Sequence, residues 1–257
     1  MKSRFEVAMD AARKASEFLL SHEAMARSVK EKAENDYVTE ADKATEELII
    51  STIREHFPQD SILGEESGEI SGSPNRWIID PIDGTVDFMN SFPCYTVSIA
   101  YQENSETEFG IVAVPRQGEY FWAEKGKGAY LNGERIRVRS GLALRKSIAI
   151  MVPPHRHPEL LSSYFEKMYS LYSLFSDQRS LGSAAISLSY VASGRVAAYY
   201  ETMLEEYDVA AGVLLVREAG GVVDIRMDGH HVKSIIAGSK ESVEGIYGKI
   251  GHQTCLV

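Results

Sequence analysis

The sequence predicts a layered α+β fold, with N-terminal helices on a large, mainly antiparallel sheet and a C-terminal α/β unit. Three observations carry this. Apolar residues recur at helical spacing through residues 1–57, short apolar runs separated by turn signals fill 77–140, and helix-like and strand-like segments alternate from 147 onward.

Taken in order, Phe5, Ala8, Met9, Ala12, Ala15, Phe18 and Leu19 form one stripe, so residues 1–22 should be an amphipathic helix that packs on a sheet. After the charged stretch SVKEKAENDY, Thr39 is placed to cap a second helix. Its stripe runs through Ala41, Ala44, Leu48, Ile49, Ile53 and Phe57 before Pro58 ends it. Between 77 and 140 the runs WIID, YTVSIAY, FGIVAVP and EYFWAEKGKGAYLNGERIRV read as strands, with Asn132-Gly133 marking a hairpin. SIAIMVPPHRHPELLSSYFEKMYSLY then predicts strand, loop and helix. GSAAISLSYVASG predicts a helix, RVAAYYE a strand, YDVAAGVLLVREAGG a helix and VVDI a strand. The histidines of PPHRHP read as part of a Pro-rich surface loop rather than a metal site, and the aromatics of YFEKMYSLYSLF as helix packing. There is no internal repeat or obvious linker, so parts spanning 1–145 and 146–257 are expected to be closely packed in one rigid body.

The 257 residues, 44% of them apolar, suffice for one large core or two adjoining ones. With 27 basic and 37 acidic side chains the net charge is −10, which argues against sequence-independent binding to nucleic acid or to an anionic membrane. A phosphate ligand would need local cations. Cys94 and Cys255 are the two cysteines, in no CxxC pattern, so neither a disulfide framework nor a thiolate zinc site is expected and a cytoplasmic location is. No apolar run is long enough to cross a membrane, and Glu6 and Asp10 fall where a signal peptide would be apolar.

The chemical question is set by WIIDPIDGTVDF at 77–88, where an apolar strand ends by releasing Asp80 and Asp83 beside Gly84 and Thr85. A strand followed by a Pro-containing turn accounts for the backbone but not for the concentrated charge. A hard divalent cation takes oxygen ligands, and two carboxylates with an intervening carbonyl supply them in a compact arc. The amides of Gly84 and Thr85, at a helix start, suit a phosphate oxygen. Alone, GEES at 64–67 reads as a Gly turn with Ser67 capping a helix. YVTEAD puts Asp42 at the third position of a capping box, at a helix's positive end, and EEYDVAAG offers Asp208 as an N-cap. Four carboxylate clusters at element ends together point to a cation site.

GEES, WIIDPIDGT followed by Phe88, LGSAA at 181–185 and an Asp before Ala210-Ala211-Gly212, in that order, resemble the inositol monophosphatase family of Mg²⁺-dependent phosphatases over nearly the whole chain. The resemblance implies an α-β-α-β-α sandwich, two or three Mg²⁺ ions with Mn²⁺ able to substitute, a small-molecule phosphate monoester as partner, a homodimer, and sensitivity to lithium. Carried over residue by residue, it implies that Glu65 binds metal, that Asp80 bridges two metals with the Ile82 carbonyl beside it, and that Asp83 and Asp208 hold the metal at the leaving oxygen. Thr85, backed by Asp42 and assisted by Glu66, would orient the attacking water, and the Gly84 and Thr85 amides would take the phosphate. Gly182, Ser183, Ala184 and Glu201 would meet the sugar or polyol hydroxyls. Arg179, just before SLGSAA, is a candidate for a distal phosphate. Two positions depart from the family pattern: Tyr207 stands where Trp is usual, and Asp87 where Asn is usual.

The expected activity is hydrolysis of a small sugar or polyol phosphate, inositol 1-phosphate first and fructose 1,6-bisphosphate second. Histidinol phosphate and nucleotide-derived phosphates stay open. One rival is a haloacid-dehalogenase-like phosphatase with a DxDGT nucleophile. Here the spacing is Asp-x-x-Asp, and on an extended strand residues i and i+3 face opposite ways unless the chain turns at Pro81. The other rival is a non-catalytic metal or sugar-phosphate binding protein of the same fold.

Overall fold

The computed structural model describes residues 2–251 except 24, 26–28, 34, 35 and 142. Cys255 lies outside the described residues. Helix α1 (Arg4–Ser21) opens with a capping box between Ser3 and Glu6, and α2 (Glu40–Arg54) with one between Thr39 and Asp42, as the sequence predicts for Thr39. Within the charged stretch between them, β1 (Val29–Ala33) and β2 (Asp36–Thr39) pair antiparallel, which the sequence pattern does not announce.

The large sheet contains β3 (Asp60–Gly64), β4 (Gly68–Ile70), β5 (Ser73–Asp83), β6 (Thr96–Glu103), β7 (Glu106–Val114), β8 (Glu119–Glu124), β9 (Gly128–Leu131) and β10 (Glu134–Ile136). Their spatial order is β10-β9-β8-β7-β6-β5-β3-β4, antiparallel throughout except for the parallel pair β3 and β5. Asn132 and Gly133 turn β9 into β10, the hairpin read from the sequence. Ser67 caps no helix: residues 65–67 turn β3 back into β4, because the chain has only three residues before it re-enters the sheet. A short helix, α3 (Thr85–Met89), leaves the end of β5.

The second sheet takes β11 (Ile148–Met151), β12 (Asp177–Arg179), β13 (Ala198–Glu205), β14 (Val222–Asp228) and β15 (His231–Gly238), in the order β12-β11-β13-β15-β14. The helices between and after them are α4 (Leu161–Tyr172), α5 (Ala184–Ala192), α6 (Glu206–Glu218) and α7 (Lys240–Ile250).

Five layers result. Helices α1 and α2 cover one face of the large sheet, α5 and α6 lie between the two sheets, and α4 and α7 cover the far face of the second. The central core joins Ile78, Val112 and Phe121 of the first sheet to Leu188 and Leu215 of the sandwiched helices and Tyr199 and Ile235 of the second sheet. Helices buried on two sides cannot be amphipathic, and α5 and α6 accordingly carry small or apolar residues almost all round. The aromatics of α4 divide. Tyr164 packs inward, whereas Phe165, Tyr169 and Tyr172 point outward, so only part of that segment is helix packing.

Candidate active site

The site is built at the end of β5, and a bulge builds it. Asp80 pairs with Ser98 and Asp83 with Thr96, so three steps along β5 match two along β6. The extra residue cancels the alternation of a regular strand and brings Asp80 and Asp83 to the same face. Pro81, which has no N–H to contribute to the ladder, sits inside the bulge, and the Ile82 N–H turns back to Asp80 Oδ1 at 3.1 Å. Gly84 follows at φ 99°, a conformation that L side chains rarely adopt, and delivers Thr85 to the start of α3.

Three carboxylates are tied to helix starts. Asp83 accepts Ser183 Oγ at 2.6 Å and the amides of Ala184 and Ala185 at 3.2 and 2.6 Å, at the N-terminus of α5. Asp42 accepts the Thr39 amide and hydroxyl at 2.8 and 2.6 Å. Asp208 accepts the Glu205 amide at 2.6 Å. Asp208 is therefore not the N-cap expected from the sequence; Glu205 is, because the helix already begins at Glu206, three residues earlier than an Asp208 cap would start it, and Asp208 falls at the third position of a capping box. The Thr85 hydroxyl reaches Asp42 Oδ1 at 3.1 Å and the Ile82 carbonyl at 3.2 Å.

One oxygen from each of Asp80, Asp83 and Asp208 lies within 4.8 Å of the others, and all three residues are buried. Burial pushes Asp80 well above the usual carboxylate range, and the charges of Glu65, Asp83 and Asp208 push it further. Burial likewise raises Asp83 to about 6 against its hydrogen bonds from Ser183, Ala185 and Ala184. Asp208 rises to about 7, through burial first and then the charge of Asp83. Carboxylates so placed are strongly unfavourable as anions without a cation, and an all-oxygen donor set matches a hard divalent ion. Glu65, half-buried in the turn after β3, hydrogen-bonds with Asp80 and completes the acidic group.

The turn that carries Glu65 is held by a residue that sequence reasoning missed. Glu46, on α2 and 2% exposed, accepts the amides of Glu66 at 3.0 Å and Ser67 at 2.7 Å. Gly64 leaves room for it: a Cβ there would stand 2.6 Å from Glu46 Oε2. The only sequence hint is a carboxylate at an inward position of the α2 stripe.

A cavity of about 710 Å³ opens over this cluster, and Glu65, Asp80, Ile82, Asp83, Gly84, Thr85, Gly182, Ala184, Glu201 and Asp208 all line it. Asp42 stands behind Thr85, and the charge of Glu66 reaches Asp42. Ser183 is not among the lining residues, since its hydroxyl is committed to Asp83 and to capping α5. Arg179 is not brought to the site: it is exposed on β12, where it pairs with Asp177 at 2.6 Å. Glu201 accepts the Tyr199 hydroxyl at 2.5 Å, and its burial raises its pKa well above normal. Asp87 lines the cavity with one buried oxygen that has no hydrogen-bond partner, and burial raises its pKa. The Tyr207 hydroxyl is pushed up by burial and by the charges of Asp208, Glu65 and Asp80. The PPHRHP loop is a wall of this cavity rather than a featureless stretch of surface.

Residues 1–252 match the model of the inositol monophosphatase family, and the chain belongs to that family. Among curated proteins it is 39% identical over 253 residues to Nus factor SuhB of Escherichia coli, covering 96% of this chain and 95% of that one. Among solved structures, the extragenic suppressor protein suhB of Bartonella henselae superposes with a TM-score of 0.89 at 34% identity, covering 94% of this chain and 96% of that one. An IMPase of Thermotoga maritima gives a TM-score of 0.85 at 31% identity, covering 96% and 98%.

Proposed function

We propose that the chain is a Mg²⁺-dependent phosphatase of small sugar or polyol phosphate monoesters, with inositol 1-phosphate as first substrate and fructose 1,6-bisphosphate as second. The observation that carries this reading is the convergence of Asp80, Asp83 and Asp208 within 4.8 Å, beside the Thr85–Asp42 pair. Glu65, Asp80, the Ile82 carbonyl, Asp83 and Asp208 would hold two or three Mg²⁺ ions, or Mn²⁺ in their place. When bound, the ions supply Lewis acidity to the attacking and leaving oxygens. The chain's own groups do the rest. The Thr85 hydroxyl donates to Asp42, which leaves its oxygen to accept a hydrogen bond from the incoming water and orient it. Burial raises the pKa of Asp42, making it a better acceptor for the proton that Thr85 relays, and Glu66 assists from the adjoining turn. The amides of Gly84 and Thr85 take the phosphate oxygens. Glu201, Gly182 and Ala184 meet the alcohol portion, and Ser183 serves it indirectly by fixing Asp83.

Phosphate release from inositol 1-phosphate and fructose 1,6-bisphosphate, with and without Mg²⁺ or Mn²⁺, tests the reading. No release from a broad phosphomonoester panel in either metal would overturn it. A homodimer, a cytoplasmic location and a division of the chain at 145/146 into metal-site and site-completing parts belong to the same reading. Sedimentation equilibrium tests the first of these.

The name Nus factor, which belongs to the Escherichia coli relative, favours a second reading in which this chain also has a binding role independent of turnover. An Asp83→Asn protein that restores the phenotype of a deletion strain without releasing phosphate would support it. Loss of both together would not.

A further inference from the structure

The cavity has an acidic floor and one permanently cationic side chain among its described lining residues, Arg156. On a chain of net charge −10, a guanidinium over a carboxylate cluster requires an explanation. The surrounding segment places it there. β11 runs parallel to β13 with Met151 beside Tyr200, and the Val152 amide donates to the Tyr200 carbonyl at 3.1 Å, so the loop leaves the sheet alongside Glu201. Pro153, Pro154 and Pro158 restrict the backbone, and two tight turns, His155 N–H to Pro153 O at 2.8 Å and His157 N–H to Pro154 O at 2.9 Å, close the tip that carries Arg156. The arginine is presented by a stiff loop. Its charge reaches Glu201 and Asp208, the two acidic residues that β13 and α6 contribute to the cavity.

We infer that Arg156 recognises a second anionic group on the substrate, so that the accepted class extends beyond inositol 1-phosphate to phosphate monoesters whose alcohol portion bears a further phosphate or carboxylate. This rests on the phosphatase reading, in which Asp83 and Asp208 stand on the leaving-group side. A group held by Arg156 near Asp208 and Glu201 then belongs to the alcohol and not to the phosphate being cleaved. Glu201 and Arg156 divide the work: the carboxylate accepts a hydroxyl and repels an anion close to itself, while the planar guanidinium offers paired donors to an anion further out. Arg179, exposed on β12 and outside the cavity lining, does not fill that place.

The test compares inositol 1-phosphate, fructose 1,6-bisphosphate and 3-phosphoglycerate in wild-type, Arg156→Ala and Arg156→Lys proteins. One charged hydrogen bond corresponds to roughly a 10- to 100-fold effect. Arg156→Ala is therefore expected to lower kcat/KM by that factor for the bisphosphate, the phosphoglycerate or both, mainly through KM, and to leave inositol 1-phosphate within about twofold. Arg156→Lys should recover part of the loss. Which of the two anionic substrates responds identifies the group as phosphate or carboxylate. Equal losses on all three, no loss on any, or turnover of inositol 1-phosphate alone would overturn the inference while leaving the phosphatase reading intact. If the wild-type protein cleaves none of the three and nothing in the broader phosphomonoester panel, that reading fails separately. The Tm shift given by each compound with Mg²⁺ then decides Arg156: the inference predicts a shift by an anion-bearing compound that Arg156→Ala abolishes, and an undiminished or absent shift refutes it.

Discussion

Replacing Glu46 should loosen metal binding from a position that touches no metal. Its carboxylate is buried and accepts two amides of the turn that presents Glu65, at 3.0 and 2.7 Å. Hydrogen bonds to a charged acceptor contribute roughly 1.5–3 kcal/mol each. Glu46→Gln keeps the shape and one acceptor but turns an NH₂ group toward the other amide, so about 2–4 kcal/mol of support for the turn is lost. If half of that is expressed as displacement of Glu65, about 1–2 kcal/mol, the half-saturating Mg²⁺ concentration rises roughly 5- to 30-fold. Gly64→Ala should act in the same direction with the carboxylate intact, because its Cβ would stand 2.6 Å from Glu46 Oε2 and from Ser67 Oγ. The assay is a Mg²⁺ titration followed by both Tm and phosphate release. kcat at saturating Mg²⁺ should return to within a few-fold of wild type. A lower Tm with unchanged half-saturation would mean that Glu46 supports the fold alone and would refute the reasoning.

Asp83→Asn should reduce kcat by at least about 100-fold while leaving the cooperative urea transition in place, since it removes charge from the site and little core packing; full activity would remove Asp83 from the site. The metal-free protein should lose stability as pH rises. Asp83 and Asp208 bind protons more tightly folded than unfolded, so their contribution is complete below about pH 4 and is lost as pH rises through about 6 and 7, on the order of 3 kcal/mol for Asp83 alone. Added Mg²⁺ should abolish that slope, and a metal-free stability that increases over the same range would contradict the assigned electrostatics. Arg179→Ala should change kcat/KM by less than about twofold for mono- and bisphosphate substrates alike, because the side chain is exposed and paired with Asp177. Li⁺ at tens of millimolar should inhibit turnover, as the family resemblance implies; unimpaired turnover would remove that expectation.

What the sequence discloses and what it hides follow from the range of the interactions. Thr39 and the Asn132-Gly133 hairpin are local signals, complete within a few residues, and both are read correctly from the chain. The strand at 77–80 is legible because a centrally buried strand is apolar on both faces. The bulge that aligns Asp80 with Asp83 is hidden, because register exists only relative to β6. Glu46 is hidden because a glutamate in a helix ordinarily faces water, and its partners lie 20 and 21 residues away. Arg156 sits in a Pro-rich loop that looks like ordinary surface, and only the pairing of β11 with β13 brings it over the acidic floor.

The carboxylates of the site are not supported alike, and the difference has a structural cause. Asp42, Asp83 and Asp208 each receive backbone amides at the first turns of α2, α5 and α6, where unpaired N–H groups and the helix dipole favour negative charge by roughly 0.3–1 kcal/mol apiece. Asp80 stands among them with the Ile82 amide from its own turn, and burial first, then the charges of Glu65, Asp83 and Asp208, raise its pKa. Three helices thus make it feasible to gather the outer carboxylates before a cation arrives, while the central one depends on the cation. The fold supplies the first condition through the sandwich itself. Helices α5 and α6 lie between the sheets with their N-termini converging on the end of β5, so the layer that forms the central core also holds Asp83 and Asp208 at the separation a divalent ion requires.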